Sequence, residues 1–163
     1  MEKVMWLVLG GVTFVAALQA GHSRRAMYVG RWALGVLFIA FGAVVNAIYL
    51  AAQVGYYEDF AKTSPFLFVR DTWESLVLPN QGVFISALII AEAAAGVLVL
   101  RGGSWTQAGL IALIGFHVGQ LAFGGVLWVW APLMLVALVL LLRAERQAAL
   151  DDEEPSSLQH AST

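Results

Sequence analysis

The chain alternates long apolar blocks with short polar breaks. Val4 to Ala20, Trp32 to Val54, Gly82 to Leu100, Thr106 to Ala122 and Val126 to Leu142 are each 17 to 23 residues long. At a rise of about 1.5 Å per residue, that is the length a helix needs to cross a hydrocarbon core of about 30 Å. No charge separates the last two blocks, yet one helix from Thr106 to Leu142 would be ~55 Å long, beyond any ordinary tilt. A break is required, and Gly124-Gly125 supplies it, because paired glycines end helices and permit a tight turn. Pro132 then falls inside the fifth helix, where it frees a backbone carbonyl and is expected to bend the helix. The pattern predicts an all-α polytopic membrane bundle of five spanning helices, forming one domain over residues 1–144.

Between the blocks, only Gly55 to Gln81 makes a substantial loop, 27 residues placed on the external face. Its rings Tyr56, Tyr57, Phe60, Phe66, Phe68 and Trp73 suit a membrane interface. Asp71 to Leu78 is expected as a short helix ended by Pro79, with Asp71 or Thr72 as N-cap. The loop either covers the bundle top or serves as a lid or docking surface for an external partner or lipid-like substrate. On the second reading Tyr56, Tyr57, Arg70, Asp71 and Trp73 are its candidate residues. The tail from Glu145 to Thr163 carries the acidic run DDEEPSS and is expected to be disordered, solvated and cytoplasmic.

Composition narrows the class. Of 163 residues, 60% are hydrophobic and 12% charged, with a mean hydropathy of +0.79. A soluble domain of this size carries about 25% charged residues, so the chain is read as integral to a membrane. It has no cysteine, which excludes disulfides, thiol chemistry and iron–sulfur ligation by its own side chains. No basic patch points to nucleic acid. The first block resembles a signal peptide, but Leu18 stands where a small residue is wanted before cleavage after Ala20, so it is read as a retained span. Arg24, Arg25, Arg31, Arg101, Arg143 and Arg146 fall on one side of the five spans, Lys3, Lys62 and Arg70 on the other. The positive-inside rule then puts the N-terminus outside and the C-terminus in the cytoplasm.

Against this apolar background the polar residues stand out. Glu92 is the one charge in Val83 to Leu100, and a carboxylate near a bilayer centre costs at least ~2.5 kcal/mol on insertion scales. Glu92, His117, Asn46 and Gln120 fall roughly 12 to 22 Å from the same boundary at 1.5 Å per residue. His117 and Gln120, three apart, share a helix face. Small residues surround them: Ala91, Ala93, Ala94, Ala95 and Gly96 beside Glu92, Gly115 and Gly119 beside His117. Such residues let helices approach closely, so Glu92 and His117 are expected to face other helices. Two readings follow. The four residues either hydrogen-bond across the bundle as interhelical glue, or line a polar, proton-linked site for a quinone or a lipid head group. One histidine and one glutamate fall short of a metal site, and His22 is badly placed as a second haem ligand.

The second block opens Arg31-Trp32-Ala33-Leu34-Gly35-Val36-Leu37-Phe38-Ile39-Ala40-Phe41-Gly42, and the third carries Glu92-Ala93-Ala94-Ala95-Gly96-Val97-Leu98-Val99-Leu100-Arg101-Gly102. Together with the long loop between them, these resemble the DoxX-like family of small bacterial membrane proteins, over about two thirds of the chain. The resemblance implies a four-helix bundle from Trp32 to Leu142 in the bacterial inner membrane, to which Val4 to Ala20 adds a fifth span. It also implies a non-catalytic accessory or anchor subunit of an oxidoreductase-type assembly linked to sulfur, quinone or oxidative-stress chemistry, with a partner subunit alongside membrane lipids. The alternative is a small-molecule or proton-coupled binding or transport protein built on Glu92 and His117, working as a homo-oligomer. A membrane enzyme using His117 as acid or base is a third class.

Overall fold

The computed structural model describes residues 2–52 and 55–160, with side chains over 4–52 and 55–152. All regular structure among them is helical, in five rods: α1 (Glu2–Gln19), α2 (Arg24–Ala52), α3 (Leu67–Arg101), α4 (Gly103–Gln120) and α5 (Leu127–His160). Three are long and apolar enough to cross a membrane: α2, α3 and the Leu127–Asp152 part of α5. The helices pack as a ring in chain order, each against its neighbours, with α5 returning to α1.

Three boundaries differ from the sequence reading, each for a local reason. Helix α2 starts at Arg24, ahead of the apolar block, because Ser23 caps it: the backbone is extended there, and Ser23 Oγ accepts the Ala26 N–H at 3.3 Å. The expected end of that block at Val54 lies outside the described residues. Helix α3 begins at Leu67 and runs through Pro79, so neither Asp71 nor Thr72 is an N-cap and the expected short helix is the first part of α3. Trp73–Val77 winds as a π-helix and Leu78–Asn80 as a 3-10 turn, and this change of winding carries the chain past a residue that lacks an N–H. At the other end, α5 continues to His160, so the stretch after Glu145 is helical where a disordered tail was expected. Glu145 itself is only 6% exposed.

The break between α4 and α5 is a turn in which Gly124 and Gly125 take φ of 75° and 59°. Thr63 of the preceding loop presses against both, and a Cβ there would collide with it. Thr63 and Ser64 donate through their hydroxyls to the carbonyls of Phe123 at 3.0 Å and Ala122 at 2.6 Å, so the loop is tied to this turn.

The two ends of the ring are built differently. Around the start of α2 and the end of α3, Leu34, Val99, Leu110, Leu113, Leu138 and Leu141 are nearly fully buried in one packed core. Gly109 makes the close approach possible: a Cβ there would lie 2.8 Å from the Val99 backbone nitrogen. Arg31 closes this end. Its Nη1 lies 3.0 Å from Glu145 Oε1, Nε donates to the Val99 carbonyl at 3.2 Å and Nη2 to that of Leu100 at 3.5 Å. Thr106 Oγ1 donates to the same Val99 carbonyl, so four helices meet at one point. The small residues at Gly115 and Gly119, expected to bring α4 against a neighbour, instead lie on its exposed face with nothing within 4 Å. The buried face of α4 carries Gly109, Leu110, Leu113 and His117, and that periodicity turns Gly115 and Gly119 outward.

Candidate functional site

The other half of the ring encloses a cavity of about 640 Å³. Its shape begins in α2, which passes from α- to π-winding over Leu37–Val44 before resuming at Val45. The wider turn places Phe38, Phe41, Gly42, Val45 and Asn46 all on the cavity wall. Gly42 lets the carboxyl group lie close to the α2 backbone, since a Cβ would stand 3.0 Å from Glu92 Cδ and 3.2 Å from its Oε2.

Glu92 projects from the middle of α3 and is 7% exposed. Asn46 Nδ2 donates to Glu92 Oε2 at 3.0 Å, and Asn46 Oδ1 accepts from the Tyr57 hydroxyl at 2.8 Å. The amide is thereby oriented, its donor towards the carboxyl group and its acceptor towards the phenol. Tyr57 is held in turn by its backbone carbonyl, which accepts from Trp73 Nε1 at 2.9 Å. Burial, then the neighbouring Tyr56, Glu92 and Tyr49, push the Tyr57 phenol up to about 12, so it stays a donor. A loop residue thus completes a relay ending on a carboxyl group between helices.

Opposite, α4 supplies acceptors. His117 is fully buried, and its Nδ1 lies 2.8 Å from the Leu113 carbonyl. A carbonyl only accepts, so Nδ1 carries the proton, and in the neutral imidazole Nε2 then presents a lone pair. Among the described residues Nε2 has no hydrogen-bond partner, and neither does Gln120 Oε1 one turn further on. Leaving a buried acceptor unmade costs about 1–3 kcal/mol. Both residues line the same cavity as Glu92 and Asn46. Phe38 and Phe116 stand edge-on to the imidazole at 5.8 and 5.5 Å and fix its plane.

The walls are largely aromatic. Phe60, Trp73 and Phe123 form a triad with centroids 5.0 to 5.4 Å apart, roofing the cavity with the loop. At the α1–α5 side, Trp6 stacks on Trp130, whose ring in turn fits against Gly10. Leu7 and Val126 line the cavity there while 60% and 73% exposed, so it reaches the outer surface between these helices. Among the described residues no Lys or Arg lines it.

The four polar residues singled out in the sequence therefore share one cavity, together with Tyr56 and Tyr57 of the loop and Trp73 of α3. Arg70 and Asp71 are not among its lining residues. Two features had no reading in the sequence: the Tyr57–Asn46–Glu92 relay and the Arg31–Glu145 pair. The pair did leave a signal, since Met134, Leu138 and Leu141 place Glu145 on the same buried stripe, four residues beyond Leu141. Compared with protein-family models, curated proteins and solved structures, the chain matches none.

Proposed function

We propose that this chain is a DoxX-like integral membrane protein of five spanning helices that binds a small amphipathic molecule within the bundle. The observation that carries the reading is the pair of buried, unpartnered acceptors, His117 Nε2 and Gln120 Oε1, in a cavity that also holds Glu92. A fold that wanted only interhelical glue would bring a donor from a neighbouring helix to each of these acceptors. The alternation of buried polar atoms and aromatic walls is the usual make-up of a ligand pocket.

Membrane placement is supported by the outward faces, where Val8, Val15, Ile48, Ile90, Val97 and Val129 are all at least half exposed. An apolar exterior of that extent is stable in lipid and not in water. At about 1.5 Å per residue, α1 and α4, 18 residues each, reach ~27 Å, enough for a thin bilayer. The arginine-rich end, with Arg31 and Arg101, is placed in the cytoplasm of a bacterial cell and the loop outside.

The DoxX-like assignment rests on the sequence resemblance, whose motif residues act together in the structure. Arg31 binds α3 carbonyls, Gly35 lies under Leu100, Gly42 under Glu92, and Gly96 under Ile39. All of them build the α2–α3 interface, so they form a structural unit. The accessory-subunit role is carried by the resemblance alone, whereas the binding role has a cavity behind it.

Native mass spectrometry of protein gently extracted from its own membrane tests the proposal. A bound small molecule on the wild type, lost from Glu92→Gln and His117→Leu, supports a site. Wild type with no adduct and a stoichiometric polypeptide partner instead returns the chain to the subunit class.

A further inference from the structure

Resting on the binding role just proposed, we infer that the ligand is a lipophilic organic cation whose head carries N–H donors, a protonated primary or secondary amine on an apolar or aromatic body. Three properties of the cavity converge on that class. The polar atoms awaiting a partner are acceptors: His117 Nε2, fully buried with its other nitrogen committed to Leu113, and Gln120 Oε1. A head group that only accepts, such as a ketone or an ether, would leave both unmade.

The charge balance points the same way. Glu92 is the one acidic side chain on the wall, and among the described residues no Lys or Arg lines the cavity to answer it. An anionic head would face the carboxyl group and two further acceptors with nothing to pair it, whereas a cation finds opposite charge in a site of low dielectric. Asn46 holds the Glu92 group from one side through Oε2 and itself leans on Tyr57, so the carboxyl position is set before any ligand arrives.

The walls complete the fit. Tyr49, Tyr56, Phe41, Phe116, Trp73 and Trp130 all face the cavity, and ring faces attract cations through their quadrupole, most strongly where water is excluded. Their apolar surface takes up the body of the molecule. Access is from the side: Leu7 of α1 and Val126 of the α4–α5 turn lie on both the cavity wall and the outer surface. A molecule already dissolved in the membrane reaches the cavity there without crossing the loop roof.

The test uses four probes with one body and four heads, on the full chain in lipid nanodiscs: 4-phenylbutylamine, its N,N,N-trimethyl analogue, 4-phenylbutanol and 4-phenylbutanoate. Equilibrium dialysis, corrected for empty nanodiscs, reads each Kd. The expected order is amine tightest, trimethyl analogue at least threefold weaker for want of donors, alcohol at least tenfold weaker for want of charge, and carboxylate without saturable binding. Glu92→Gln is expected to remove the preference of amine over alcohol, and His117→Phe that of amine over trimethyl analogue. The wild-type order alone decides the question should either variant fail to fold. Alcohol binding as tightly as amine or more so overturns the cationic class while leaving a small-molecule site in place. Saturable carboxylate binding does the same. No saturable binding of any probe overturns the cationic class, and no native adduct on the same preparation removes the binding role as well.

Discussion

Breaking the Arg31–Glu145 pair should cost more from one side than from the other, and replacing both residues should cost less than either loss. Both side chains are almost fully buried, at 8% and 6% exposure, with 3.0 Å between Nη1 and Oε1. Glu145 Oε1 makes no aligned hydrogen bond, so the contact is chiefly coulombic. Arg31→Met would leave a buried carboxylate with no other cation within 4 Å among the described residues, the situation that typically costs 3–5 kcal/mol; the upper end, about 5 kcal/mol, is expected. Glu145→Leu leaves a guanidinium that still donates to the Val99 and Leu100 carbonyls and stands over the Tyr28 ring at 5.3 Å. Those carbonyls are at the negative end of α3, so the loss falls to about 3 kcal/mol. The double replacement removes both desolvated charges and should cost about 2 kcal/mol or less, giving a coupling of about 6 kcal/mol or more. Denaturation of the four proteins in mixed micelles, followed by tryptophan fluorescence, measures the cycle. Single losses that add to the double within about 0.5 kcal/mol would show that the two groups do not act as a pair and would refute the reasoning.

Three further outcomes follow from separate parts of the molecule. Gly109→Val places a Cβ 2.8 Å from the Val99 backbone nitrogen, which cannot move without shifting a helix; a loss of about 1–3 kcal/mol is expected in the same micelle assay, against little change for Gly115→Val on the open face. Tyr57 should titrate near 12 in the ultraviolet tyrosinate band, and Tyr57→Phe should remove that component. The sign is fixed, since an unfolded tyrosine loses its proton near pH 10, before the folded one; stability should fall as pH rises from about 10 to about 12 and be less steep in Tyr57→Phe. Asn46→Leu cuts the relay at its centre and leaves both the Tyr57 hydroxyl and Glu92 Oε2 without this partner, so a loss of about 2 kcal/mol or more and weaker ligand retention are expected together.

The apolar blocks showed where the helices are but not where they end. Hydropathy drops at a charge, while helical periodicity continues past it: Arg31 follows Met27 at one turn's spacing and Glu145 follows Leu141 likewise, and all four are buried. Reading each block as stopping at its first charge therefore hid the pair that closes the bundle. Pro79 misled for a related reason, because a short π segment just before it absorbs the missing N–H and no break is needed. The polar site was more legible. Glu92, His117, Asn46 and Gln120 stood out by the cost of placing them in an apolar setting, and depth along the helices brought them to one level. Which of their atoms would be satisfied was not readable, since that depends on Leu113 taking the His117 proton and on a loop tyrosine reaching Asn46. The small-residue argument failed at Gly115 and Gly119 because spacing defines a stripe and not the direction in which it points.

The division of the bundle into a closed half and an open half explains how the site is tolerated. Two unmade acceptors together cost about 2–6 kcal/mol, at about 1–3 kcal/mol for each polar group. A ring of five helices with no covalent cross-links would tend to relieve that cost by collapsing inwards. Collapse is resisted from three directions. The core around Leu34, Leu110 and Leu138 fixes one end, the Arg31 cluster joins four helices there, and the Thr63 and Ser64 hydroxyls tie the loop to the α4–α5 turn at the other. The π segment of α2 then turns a widened backbone, rather than a ridge of side chains, towards Glu92. Apart from Glu145 Oε1, which faces Arg31 without an aligned hydrogen bond, the unmade buried acceptors among the described residues are gathered at His117 and Gln120. Two unmade acceptors gathered in one cavity, with the supports that hold it open placed outside, are the pattern expected of a site kept ready for a ligand.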